Sequence, residues 1–192
     1  MIIYKLTDQN DQSHGGMQWG KNVERTVPGG GPLCTRNWLH GYKTPLIAVL
    51  MNPIHGNYDP DTMHLWETDA DVKKEDGFKL GCTRQKTLQR KRIPKISINA
   101  KIRVAIYLAR SKFSGKNNAW DTWATNWLSG KDRSTWAAHA AGAATSASYA
   151  AGAATDAATY AAGAAAYAAG AKNMENIDLN KIILRAVAEE KP

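Results

Sequence analysis

Leu65 to Arg92 reads LWETDADVKKEDGFKLGCTRQKTLQRKR. Apolar and polar residues alternate from Leu65 to Val72, which is the period of a half-buried strand. Glu75-Asp76-Gly77 supplies turn chemistry and predicts a hairpin. Phe78 to Cys82 and Gln85 to Arg92 carry on as strands. This hairpin makes the N-terminal half β-rich and antiparallel. Outward from it, Ile2 to Thr7 reads as a first strand, ended by the polar run Asp8 to Asp11. Pro28-Gly29-Gly30-Gly31-Pro32 is a loop. A triple glycine suggests a phosphate cradle, but no Gly-Lys-Ser/Thr and no capped helix follow it, so it reads as a hairpin or surface loop. Pro45 to Met51 (PLIAVLM) suits either a buried two-turn helix or a strand, and Asn52-Pro53 is expected to end it.

The pattern changes at Pro94. Ile102, Ala105, Ile106, Ala109 and Phe113 recur at three and four, which predicts an amphipathic helix over Asn99 to Phe113. Trp120, Trp123 and Trp127 follow at i, i+3 and i+7, one helical face more suited to a core than to a stacking platform. Ser129-Gly130 breaks that helix. Asp178 caps a last short helix with Leu179, Ile182, Ile183, Ala186 and Val187 on one face. The expectation is an α+β chain with a small antiparallel β-rich N-terminal domain and an all-helical, Ala-rich C-terminal part. Its divisions are residues 1–95, 96–130 and 131–192.

From Ala137 to Ala171 the chain has 21 Ala and four Gly among 35 residues. Ala favours helix, while each Gly opposes it by about 1 kcal/mol. Tyr149, Tyr160 and Tyr167 are 11 and 7 residues apart, close to whole helical turns, so they fall in one stripe. Gly152, Gly163 and Gly170 each follow a Tyr by three and share that face. Ala methyls bury little area, so such a helix gains stability where a partner backbone comes very close. The stretch reads as a packing surface for self-association or for another segment of the chain, with Asp132 or Ser134 as its cap. An Ala-rich spacer is the plain alternative. Thr145, Ser146, Ser148, Thr155, Asp156 and Thr159 interrupt it too often for a membrane span.

The 192 residues fit one domain, or one domain with an appendage, at a net charge of +8. Seven Trp imply substantial burial, and two Cys are too few for a disulfide framework. Met1-Ile2-Ile3-Tyr4 runs straight into a strand, not into a signal peptide, so a reducing intracellular setting is expected. Between Arg84 and Lys116 stand eleven Lys/Arg and no Asp or Glu. Of these, Arg84, Lys86, Arg90, Lys91, Arg92, Lys95, Lys101 and Arg103 are the candidate binding residues. They suit phosphates, an acidic protein, a cyclic nucleotide, or simply solvent.

Several blocks together carry a resemblance: Tyr4-Lys5-Leu6-Thr7-Asp8, Cys34-x5-His40-x-Tyr42, Pro45-Leu46-Ile47-Ala48, Asn52-Pro53-Ile54-His55, Leu65-Trp66-Glu67 and Lys79-Leu80-Gly81-Cys82. They resemble an uncharacterised family of accessory proteins in tailed bacteriophages and in bacterial genomes carrying prophage genes. Trp127 to Ser134, followed by an Ala/Tyr-rich tail, resembles the same group. Gly41 stands where that family usually carries Ala. The resemblance implies a phage accessory protein in the cytoplasm of a bacterial host, and such proteins often inhibit host defence.

Cys34, His40, His55, His64 and Cys82 could in principle hold zinc, but none shows the short paired spacing of a zinc motif, so no metal is expected. No cofactor is expected either. Cys34 and His40 are candidates for a nucleophile and its base. Glu67 is a candidate catalytic carboxylate with His40 and Tyr42, in a layout similar at fold level to transferases acting on nicotinamide dinucleotide. The expected function is a non-enzymatic, self-associating binding protein that inhibits or sequesters a host component through its basic face. Nucleic-acid binding is the alternative, and a nucleotide-processing enzyme is the third reading.

Overall fold

The computed structural model describes residues 1–113, 118–134 and 178–190. The fold is α+β, and the chain divides into two compact units, Met1–Lys95 and Ile96–Pro192. The self-association residues Tyr149, Gly152, Tyr160, Gly163, Tyr167 and Gly170 lie outside the described residues, as does the helix expected after Asp132.

In the first unit, β1 (Ile2–Thr7), β2 (Gln12–Ser13), β3 (Met17–Gln18), β4 (Glu24–Thr26) and β5 (Leu39–Gly41) precede helix α1 (Pro45–His55). The long hairpin β6 (His64–Glu75) and β7 (Leu80–Lys91) follows. Its turn is fixed by Asp76, whose Oδ1 accepts the Phe78 and Lys79 amides at 3.1 and 2.7 Å, and by Gly77 at φ +87°. Two sequence expectations need correction. Phe78 belongs to this turn, not to a strand, and β7 runs unbroken through Thr83 and Arg84.

All pairings in the main sheet are antiparallel, in the order β1-β6-β7-β4, with β5 also on β7. β7 therefore shares one edge between β4 and β5. Tyr42, just after β5, exchanges both backbone bonds with Tyr4 of β1, at 2.9 and 2.8 Å. β1, β6, β7 and β5 thus close into a small barrel. Register irregularities at Glu67/Thr68, Asp71/Val72 and Val72/Lys74 add the local twist that closure needs. Ile3, Trp19, Leu39, Ala70, Leu80 and Cys82 form the core inside. A Cβ on Gly41 would meet Ile3 Cδ1 at 2.5 Å, the Tyr4 carbonyl at 3.1 Å and Gln85 Nε2 at 3.2 Å. The missing side chain is what lets β5 approach β1.

Helix α1 packs on β1. Thr44 caps it by accepting the Ile47 amide at 3.3 Å, with Pro45 in its first turn. Asn52-Pro53 does not end it, contrary to expectation: the helix runs to His55. Pro53 gives up one internal bond, but Asn52 holds the exit in place. Its side chain bonds Tyr58 N and O at 3.1 and 2.7 Å, and its carbonyl accepts Gly56 N at 3.0 Å.

The second unit contains α2 (Ile98–Phe113), α3 (Asn118–Ser129) and α4 (Leu179–Ala188). α2 buries Ile102, Val104, Ala105, Ile106 and Leu108; α3 buries Trp123, Ala124 and Trp127; α4 buries Leu179, Ile183 and Ala186. Asp178 caps α4 through the Lys181 amide at 3.0 Å. Glu189, just past α4, accepts from Arg103 at 3.3 Å, from Arg185 at 2.8 Å and from the Tyr107 hydroxyl, which fastens α4 to α2. The side chains of Ala109, Phe113 and Trp120 lie outside the described residues. No described helix is long and apolar enough to cross a membrane.

Candidate functional site

Strand parity places the candidate chemistry. Leu39 and Gly41 point into the barrel, so His40 and Tyr42 point out. Gly81, opposite His40, also faces out, and it is covered by Leu33 and Trp38. A Cβ there would meet Leu33 Cδ1 at 2.5 Å and the Trp38 ring at 3.1 Å. Around this outer face stand Cys34, His40, Tyr42, His55 and Lys79.

Their contacts define their states. His40 Nε2 lies 2.6 Å from the Leu33 carbonyl, which can only accept. The proton is therefore on Nε2, and Nδ1 carries the lone pair. Burial lowers the His40 pKa against the raising effect of the Leu33 bond, and nearby Lys79 and Lys5 lower it further. Burial also pushes the Tyr42 phenol up, and its hydroxyl shares a hydrogen bond with His55 Nδ1 at 3.0 Å. The two rings stack with centroids 5.9 Å apart. Burial, then the Lys79 charge, brings the His55 pKa down to about 4. Lys79 is 5% exposed, and its ammonium donates to Cys34 Sγ at 3.0 Å. Cys34 itself is exposed.

The structure brings Cys34, His40 and Tyr42 to one neighbourhood, where each bonds a different partner. Cys34 takes its hydrogen bond from Lys79, and His40 spends its proton on Leu33. Glu67 is engaged elsewhere, with Gln89 at 2.8 Å and Lys91 at 3.1 Å. Those two hydrogen bonds hold its carboxyl below the usual range. Among the described residues no three His, Cys, Asp or Glu side chains gather as a metal-ligating group.

The basic run is divided between the two units. Arg84 bonds Asp69 at 2.6 Å, Glu24 at 3.1 Å and Asp71 at 3.4 Å. Arg90 pairs with Asp11 at 2.7 Å and Lys91 with Glu67. Arg103 is buried over the Trp127 ring and paired with Glu189, so it is not the surface cation the sequence suggested. Lys86, Arg92, Lys95 and Lys101 have no carboxylate partner among the described residues.

Three polar centres escaped sequence reasoning. Asp11 accepts from His64 at 2.7 Å, Trp66 at 3.0 Å, Thr7 at 3.4 Å and Arg90 at 2.7 Å. Burial would raise its pKa, but the bonds from His64, Arg90 and Trp66 lower it. No spacing in the sequence marks it. Lys5 lies inside the barrel, bonded to the His40 carbonyl at 2.9 Å and 4.4 Å over the Trp19 ring. Desolvation lowers its pKa to about 8. A signal existed here: Ile3, Lys5 and Thr7 alternate on one face, so a core-facing cation was legible. Lys79 is the third, placed by the Asp76 turn.

Compared with protein-family models, with curated proteins and with solved structures, the chain matches none of them.

Proposed function

We propose that this chain is a non-enzymatic accessory binding protein of phage type, which captures a host protein in the bacterial cytoplasm and self-associates through its Ala-rich segment. The observation that supports capture over chemistry is the internal commitment of every candidate catalytic group: Glu67 to Lys91 and Gln89, His40 to Leu33, Cys34 to Lys79. A general base needs a free lone pair within reach of a nucleophile, and here the nucleophile and carboxylate are held by other partners.

The contact surface is the part of the basic run in the first unit that has no carboxylate partner among the described residues: exposed Arg92 and Lys95, and half-buried Lys86. Cations already paired contribute little to a new partner, because the partner must displace an existing carboxylate. The partner chemistry that fits is an acidic protein surface.

The test is affinity capture from bacterial cells with the full chain, beside a triple variant, Lys86→Glu, Arg92→Glu and Lys95→Glu. The expected result is a defined host protein retained by the wild type and lost by the variant. Duplex DNA bound with a steep salt dependence would overturn protein capture in favour of nucleic acid. A turnover abolished by His40→Ala in a folded protein would overturn the non-enzymatic reading.

A further inference from the structure

We propose that Cys34 and Lys79 form a peroxide-responsive modification site, in which the Cys34 sulfur is oxidised and then sealed by the Lys79 amine as a sulfur–nitrogen bond. The inference goes beyond capture of a partner and does not depend on it.

Three observations carry it. Lys79 Nζ lies 3.0 Å from Cys34 Sγ. Lys79 is 5% exposed, and among the described residues its ammonium has no other hydrogen-bond acceptor. Buried ammonium groups ordinarily meet a carboxylate or several oxygens, so a thiol as sole acceptor is an arrangement that stability alone does not account for. Finally, Cys34 is exposed while Cys82 is buried, so an oxidant from solvent meets only the former.

Both partners are also held in place. Asp76 accepts the Lys79 amide at 2.7 Å. The Cys34 loop is tied by Thr35 Oγ1 to the Pro32 carbonyl at 2.9 Å and by His40 to the Leu33 carbonyl. Amine and sulfur therefore remain in contact through the reaction.

The first step is attack of sulfur on hydrogen peroxide: the O–O bond breaks, an S–O bond forms, sulfur loses two electrons, and water leaves. The product is a sulfenic acid. In the second step the Lys79 ammonium first gives one proton to solvent, and the freed nitrogen lone pair attacks that sulfur. The S–O bond breaks, hydroxide leaves as water with a second proton from nitrogen, and the third proton stays on the nitrogen of the new S–N bond. No second oxidant is needed, and a thiol reductant reverses the bond.

The test treats the full-length protein with hydrogen peroxide and follows intact mass and tryptic peptides. The wild type should lose two hydrogens, resist cleavage after Lys79, yield a linked Cys34–Lys79 peptide, and recover with dithiothreitol. Lys79→Arg keeps the cation but removes the primary amine. Its sulfenic acid should stay open to a 1,3-diketone trap and go on to the sulfinic acid. Cys34→Ser should form no link. The proposal is overturned if wild type and Lys79→Arg are trapped by the diketone to the same extent. It is equally overturned if the wild type yields no linked peptide, a result that requires no variant to fold.

Discussion

Replacing Lys5 by Met should stabilise the protein at neutral pH, because a charged amine inside the barrel is held there at a cost. Desolvation lowers the Lys5 pKa from 10.5 to about 8. A shift of that size corresponds to about 3 kcal/mol disfavouring the ionised folded state. Met has a similar length and no charge to desolvate. Against this, the variant loses the bond to the His40 carbonyl and the contact over Trp19, together about 1–2 kcal/mol. The net expectation is a gain of about 1–2 kcal/mol at pH 7. Between pH 8 and 10.5 the unfolded chain binds a proton at Lys5 that the folded chain does not, so wild-type stability rises with pH there. Below pH 8 the penalty is present in full. The advantage of Lys5→Met should therefore shrink by about 1.3 kcal/mol from pH 7 to pH 9. Urea unfolding of both proteins across that range, followed by Trp fluorescence, measures it. Cys82, whose thiol burial pushes up from 9.0 to about 11, titrates with the opposite sign, but it is present in both proteins and its contribution up to pH 9 cancels in their difference. A gap between the two proteins that does not change with pH would refute the reasoning.

Gly41→Ala should cost about 1–3 kcal/mol by overpacking, since the new methyl enters the space of buried Ile3; thermal melts by circular dichroism will read it. Asp11→Ala removes one carboxylate that serves His64, Trp66 and Arg90, with an expected loss of about 1–3 kcal/mol in urea unfolding and a stronger acrylamide quench of Trp66. Folded His55 resists protonation until about pH 4, whereas the unfolded imidazole takes its proton near pH 6.5. Wild-type stability should thus fall as pH drops from about 6.5 to 4, and His55→Gln should flatten that fall in guanidinium titrations. On the sequence pattern of Tyr149, Gly152, Tyr160, Gly163, Tyr167 and Gly170, Gly163→Leu in the full chain should lower the mass seen by light scattering; an unchanged mass would remove the packing argument.

Elements whose signal is local were legible before the structure. The alternation of Leu65 to Val72 and the Glu75-Asp76-Gly77 turn marked the central hairpin, and Ile2 to Thr7 marked β1. The three-and-four spacing of Ile102, Ala105 and Ile106, and the Asp178 cap, marked helices. Short strands were not legible. β5 has three residues, too few to show a period, and exists because β7 and Tyr4 supply its partners. The helix through Pro53 was misread for a related reason: the local rule for proline was right, but buried Leu50, Met51 and the Asn52 clamp outweighed it.

The candidate site divides in the same way. Residue types alone pointed to Cys34, His40 and Glu67 as reactive groups and to Arg84 through Arg103 as a run of charge. Whether such groups act depends on which neighbours satisfy them, and those neighbours are remote in the chain. Glu67 meets Lys91, Cys34 meets Lys79 and Arg103 meets Glu189 only after the strands pair and α4 returns to α2. The sequence by itself therefore determined the periodic elements and the inventory of chemistry, because both are written in nearest neighbours and composition. Barrel closure, the burial of Lys5 and Lys79, and the pairing of Arg84, Arg90, Lys91 and Arg103 were decided by the tertiary structure, because hydrogen bonds and desolvation act through space between residues the chain keeps far apart.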